Sequence, residues 1–100
     1  MNIRKKVYLD GTYVLSPCAV INDDVDGEVT VLHAKRGYYW RGNASAVVVL
    51  NLLRCPTTPL MVVDKFVKQY DVPQRRVEED VLALFKDLYD AGLIQKVGNI

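Results

Sequence analysis

The hydrophobic positions of the chain follow two different periods, and the change falls near Asn43. Before it, short segments of β-branched and aromatic residues are separated by turn residues, a pattern that predicts strands. After it, apolar residues recur at spacings of three and four, which predicts helices. The pattern therefore predicts an α+β domain with a strand-rich front and a helix-rich back.

The front half predicts three short strands, over residues 18–22, 28–33 and 37–41. The turn over 23–27 ends in Asp26-Gly27, a dipeptide that accepts the backbone angles of a tight hairpin. A second turn over 35–37 brings the chain back into an aromatic third strand. These segments predict a three-stranded antiparallel meander. A further pairing by 7–9 or by 13–15 stays open, because both triplets have strand-like residues.

The back half predicts three helices. Asn43 is a good N-cap for a helix over 44–54, although its valine run favours strands and only burial would hold it helical. Thr58 and Pro59 begin a second helix that ends near Asp71. A third helix over 74–91 ends at Gly92, after which Leu93-Ile94 can fold back against the last turn. Its apolar stripe is formed by Val77, Val81, Leu84, Phe85 and Leu88.

Composition favours one small globular domain over residues 1–100. Half of the 100 residues are hydrophobic and 25% are charged, which is enough apolar surface to bury a core. The net charge of +1 counts against nucleic acid and anionic membranes, because both select a basic excess. No apolar run approaches the roughly 18 residues that span a bilayer, and no secretory signal is apparent. We therefore expect a cytoplasmic protein.

The residue inventory favours a binding role over catalysis. The single histidine, His33, has no Ser or Cys partner close in sequence that would suggest a nucleophile. Cys18 and Cys55 lack the spacing of a zinc site, and we interpret both as structural thiols. Glycine-rich phosphate loops are absent from the sequence, so we expect no enzyme, no metal and no cofactor. The acidic run over 78–80 is typical of the first turns of a helix.

Three passages in a fixed order carry a resemblance to a known family. The first runs from Arg36-Gly37 through an aromatic strand to Asn43, the second closes the middle helix over 66–71, and the third spans 77–94. Over about residues 15–97 the chain resembles the PqqD-like family of winged helix-turn-helix-like recognition elements. It departs from the family pattern at Gly42, Ala46 and Leu50, where an apolar residue, a glycine and a tryptophan are common.

The resemblance implies a stand-alone recognition element for ribosomally synthesised, modified peptides, such as the leader-binding proteins of lasso-peptide clusters. In that family the leader of a precursor peptide adds as a strand to the edge of the third strand, in a groove whose other wall is the third helix. The bound leader would then be delivered to a leader peptidase, a transglutaminase-like cysteine protease. The residues expected to line or back this groove are Tyr38, Tyr39, Trp40, Arg41, Asp80, Val81, Leu84, Phe85 and Leu88.

Other interpretations of the same residues stay open. Aromatic residues that alternate along a strand must place at least one ring in the core, and the apolar stripe of the third helix is mainly core. A related alternative is a PqqD-type peptide chaperone for a radical enzyme. A winged-helix DNA-binding domain would use the basic residues at 4–6, 35–36 and 75–76 as phosphate contacts. The acidic run that follows Arg76 would repel phosphates, which counts against DNA.

Overall fold

A computed structural model of the chain describes residues 6–23 and 26–98. Residues 24 and 25 of the predicted first hairpin turn, and the basic residues 4 and 5, lie outside the described residues. The elements, in chain order, are β1 (Tyr13–Leu15), β2 (Ala19–Asp23), β3 (Val29–His33), β4 (Tyr38–Gly42), α1 (Ala44–Leu52), α2 (Pro59–Gln69), α3 (Gln74–Asp90) and β5 (Ile94–Lys96).

The predicted meander is confirmed. The strands β2, β3 and β4 form an antiparallel sheet in that order, with Val31 opposite Ile21 on one side and opposite Trp40 on the other. Side chains of β3 alternate across the sheet, so Val29, Val31 and His33 are buried on one face. The three helices that follow were also predicted, and the α+β fold class is confirmed.

A second, two-stranded sheet was not predicted. The strand β1 pairs antiparallel with β5, so the open pairing over 13–15 is made with the end of the chain and not with the meander. On its other side, Tyr13 exchanges two backbone hydrogen bonds of 2.8 Å with Thr57. Residues 7–9 form no strand. The segment after α3 therefore continues past the predicted fold-back into a short strand, β5, which pairs with β1.

The helix boundaries follow from local capping. The side chain of Asn43 accepts a hydrogen bond from the Ala46 N–H at 3.2 Å, and Thr58 accepts one from Met61 at 3.1 Å, as both were expected to do. Although its valines favour strands, α1 is helical because Ala46, Val49 and Leu50 are buried on one side. It ends at Leu52, two residues before the predicted end, and within the described ranges no helix has the length and apolarity to cross a membrane.

The end of α3 shows why Gly92 occupies its position. Leu93 donates its N–H to the Leu88 carbonyl at 2.9 Å, and Gly92 donates to Tyr89 at 3.0 Å, which together form a Schellman motif. This motif requires a residue with positive φ, and Gly92 has φ of 75°. Leu93 and Ile94 are consequently turned back into the core, as predicted.

The core lies between the inner face of the meander, the helices and β1. Phe85 of α3 is completely buried, and its ring meets that of Tyr13 edge to face with centroids 5.7 Å apart. Tyr13 is itself completely buried, and its hydroxyl accepts a hydrogen bond from the N–H of Tyr8 at 3.2 Å. The longest helix is therefore fixed from both of its flanks, by the meander and by the small sheet.

Candidate functional site

The outer edge of β4 is open in the described part of the chain. β4 is a terminal strand of the meander, and the described residues contain no strand on its far side. Between β2 and β3, Ala34 donates its N–H to the Cys18 carbonyl at 2.8 Å, so alternate residues of β3, counted from Ala34, are hydrogen-bonded to β2. The residues between them, including Val31, direct their backbone N–H and C=O groups to the other side, so Val31 bonds to Trp40 of β4. Tyr39 is the next residue of β4, so its backbone N–H and C=O point to the outer edge.

The inner face of β4 is tied to α3 by two side chains. The Tyr38 hydroxyl donates a hydrogen bond to the Ala91 carbonyl at the end of the helix. One turn earlier, the Trp40 indole Nε1–H donates to the Asp87 carboxylate at 3.3 Å. β4 therefore runs antiparallel to α3 and lies along it.

The outer face of β4 is exposed to solvent. Tyr39 keeps 64% of its surface accessible, so it is the most exposed aromatic residue of the strand. Arg41 lies on the same face and forms an ion pair of 3.0 Å with Glu28. Both side chains of that pair are more than half exposed, and such surface pairs contribute only about 0–1 kcal/mol to stability. The arrangement leaves the outer face polar at one end and aromatic in the middle.

A concavity of about 550 Å³ opens where β4 ends and α1 begins. Two of its walls are α3 and the end of α2, and Asn43, which follows β4 directly, lies on its rim. The end of β4 therefore adjoins this mainly apolar concavity at Asn43, and no residue of β4 itself is part of the lining. Its lining is formed by Asn43, Ser45, Val49, Phe66, Tyr70, Val72, Arg76, Val77, Asp80, Val81 and Leu84.

The structure separates the expected α3 residues into two groups. Asp80, Val81 and Leu84 line the concavity. Phe85 and Leu88 are completely buried and can only support the groove from behind. Tyr38 and Trp40 contact α3 nearer its end, at Ala91 and Asp87, and are not among the residues that line the concavity.

Sequence reasoning missed the contribution of α2 and of the segment after it. Phe66 and Tyr70 line the concavity, with ring centroids 6.0 Å apart, and Val72 follows them. Tyr70 is 57% exposed and Val72 is 41% exposed, so both present apolar surface to solvent at the concavity. The available signal was two aromatic residues at a spacing of four, followed by an apolar residue just before Pro73.

Gly42, one of the departures from the family pattern, is explained by Trp40. A Cβ atom at position 42 would lie 2.6 Å from the Trp40 ring and 2.7 Å from the Cβ of Ala46. The indole ring therefore occupies the space that a larger residue at this position would need.

We expect Gly42→Leu to displace the Trp40 ring and to lower the free energy of unfolding by about 1–3 kcal/mol, the usual cost of overpacking. Fluorescence detects the displacement, because Trp40 is the only tryptophan. Ala44→Leu is the matched control, since residue 44 is exposed. Unchanged emission and stability in Gly42→Leu would contradict this account.

His33, Cys18 and Cys55 are not among the residues that line the concavity. His33 is buried, and its Nδ1 accepts a hydrogen bond from the Arg36 N–H at 3.1 Å, which fixes the turn before β4. Cys18 and Cys55 are free thiols, the first partly buried and the second exposed. Among residues 6–23 and 26–98, no group of His, Cys, Asp and Glu side chains could hold a metal ion.

The match to a known family covers the part of the chain that contains β4 and the concavity. A family model described as coenzyme PQQ synthesis protein D (PqqD) matches residues 28–94, from just before β3 into β5. The chain belongs to the PqqD family. The match contains β4, all three helices and every residue of the expected groove, and it leaves out β1 and β2.

Solved structures share this PqqD fold. One is described as TbiB1 in complex with the TbiA(beta) leader peptide; it is 26% identical, with a TM-score of 0.74 over 86% of this chain and 99% of that one. Another is a lasso peptide synthetase B1 complexed with the leader peptide; it is 24% identical, with a TM-score of 0.72 over 83% of this chain and 96% of that one. No curated protein matches the sequence.

Proposed function

We propose that this chain binds the leader segment of a ribosomally synthesised precursor peptide by strand addition to β4, and that it delivers the leader to a leader peptidase. The observation that carries the proposal is the open edge of β4, which lies along α3 and ends next to a mainly apolar concavity. The protein would act in lasso-peptide biosynthesis as a recognition element and would take no part in bond cleavage.

Strand addition suits this edge for a physical reason. An added peptide strand would satisfy the outward N–H and C=O of Tyr39, and such backbone bonds give affinity with little dependence on sequence. Selectivity requires side-chain pockets, and the concavity beside Asp80 and Leu84 supplies one. Phe85 and Leu88 would contribute indirectly, by holding α3 at the correct distance from β4.

The solved relatives support the peptide ligand. TbiB1 is described as a complex with a leader peptide, and this chain covers almost its whole length. Delivery to a peptidase rests on a further argument: a bound leader keeps the cleavage site at a high effective concentration near an enzyme that binds the same adaptor. That step needs no catalytic group in the adaptor.

A second client is favoured by the description of the family as a coenzyme PQQ synthesis protein. In this alternative the same edge and concavity would present a peptide to a radical enzyme. Affinity purification of the tagged protein from its own host distinguishes the two clients. We expect a transglutaminase-like protease to be recovered, and an iron–sulfur enzyme in its place would contradict the peptidase assignment.

The binding test compares two neighbouring positions of α3. Leu84 lines the concavity, whereas Ala83 is exposed. We expect Leu84→Ser to weaken binding of the leader encoded beside this gene by at least about tenfold, which is the loss of one buried apolar contact of about 1.5 kcal/mol. Titration of labelled leader, with circular dichroism to confirm folding, measures the effect.

Ala83→Ser is the control and should bind as the unchanged protein does. Equal leader affinity of the two variants would show that the concavity is not part of the binding site. Absence of saturable leader binding to the unchanged protein would refute the proposal as a whole.

A further inference from the structure

The solvent face of the meander carries two rows of side chains that end at the open edge. Register places Val20 opposite Leu32 and Leu32 opposite Tyr39, so these residues form an apolar row across three strands. The next row of the same face consists of Asn22, Thr30 and Arg41. Val20 and Tyr39 remain 44% and 64% exposed, which leaves the apolar row open to solvent.

A peptide strand added to β4 would extend both rows by one residue. Residues that lie opposite each other in a sheet share a face, so the residue opposite Tyr39 points to solvent and not toward α3. The peptide residue two positions away is then opposite Arg41. This placement is independent of the direction in which the peptide runs, because side chains alternate in either direction.

Cross-strand neighbours determine which side chains suit those two places. An exposed aromatic ring pairs favourably with an aromatic, β-branched or other large apolar residue. A guanidinium offers several N–H donors in a planar fork, so Arg41 can bind a carboxylate of the peptide beside Glu28. The outer face therefore selects for an apolar residue and an acidic residue separated by one position.

We propose that the outer face of β4 is a second specificity element of this protein, in addition to the concavity. It selects peptides with a large apolar residue opposite Tyr39 and an acidic residue, two positions from it, opposite Arg41. The inference rests on the proposed function, because it presupposes that a peptide adds to β4. It deepens that function by stating which outward side chains the peptide must carry.

Selection from a phage-displayed library of random peptides tests the pattern. We expect peptides enriched on the unchanged protein to carry the apolar and acidic residues two positions apart, with one residue between them. Selection on Arg41→Glu should replace the acidic residue by lysine or arginine. An enriched acidic peptide should bind Arg41→Glu at least about fivefold more weakly than the unchanged protein, and its lysine variant should regain affinity for Arg41→Glu. Arg54→Glu, which changes an exposed arginine on the turn after α1, should leave the pattern unchanged.

The possible results separate the two proposals. If Arg41→Glu enriches the same peptides as the unchanged protein while Leu84→Ser loses them, the outer-face inference is wrong and strand addition stands. If Arg54→Glu shifts the pattern as Arg41→Glu does, general electrostatics and not the register is responsible, and the inference is again wrong. If the unchanged protein enriches no peptide, both proposals fall together.

Discussion

Replacement of Tyr39 by proline is expected to lower leader affinity by about 100-fold, or about 2.7 kcal/mol. Proline has no N–H, and its ring would stand where the added strand must approach. The change should leave the meander intact, because the N–H of Tyr39 points to the outer edge and edge strands tolerate proline in that orientation. Titration with labelled leader measures the loss.

Tyr39→Ala is the matched comparison, since it removes the same ring but keeps the N–H. It should lose only the outer-face contact and bind several-fold more weakly. The order of affinities, with proline far below alanine, identifies backbone pairing as the source of affinity. If both variants lost the same amount, the ring and not the edge would carry the binding.

Phe85→Ala is expected to destabilise the domain by about 3–5 kcal/mol, the usual range for removing a buried phenylalanine. The side chain is completely buried and meets the ring of Tyr13, so the change would leave a cavity between α3 and β1. Domains of this size have about 5–15 kcal/mol in total, so a large share of stability would be lost. Urea denaturation followed by circular dichroism measures the difference.

Phe85→Leu is the control for volume and should cost much less, because most of the apolar contact remains. It also tests the supporting role of this residue, since a folded Phe85→Leu protein should bind leader nearly as well as the unchanged one. A folded variant with strongly weakened binding would place Phe85 in direct contact with the peptide, against its burial.

Local sequence signals predicted most of this fold because they act over a few residues. The caps at Asn43 and Thr58 and the stop at Gly92 each depend on hydrogen bonds to neighbours within a few positions. The pairing of β1 with β5 could not be predicted in the same way. It joins residues about eighty positions apart, and neither three-residue strand has a turn that fixes its register.

The candidate site was predictable only where the spacing of apolar residues shows which side of a strand or helix faces the core. Alternation along β4 correctly required one aromatic face to turn inward, and the structure shows Tyr38 and Trp40 there. The part of the concavity formed by Phe66 and Tyr70 depends on how α2 packs beside α3. Such packing follows from the shapes of whole helices, which a linear pattern does not encode.

The pairing of β1 with β5 gives the domain the geometry of an insertable module. The Val97 N–H donates a hydrogen bond of 2.8 Å to the Thr12 carbonyl, so the residue before β1 and the residue after β5 lie next to each other. Domains whose ends lie close together tolerate circular permutation and insertion into loops of a host protein. A domain joined to a host protein at these two positions would fit into a surface loop without stretching the host backbone.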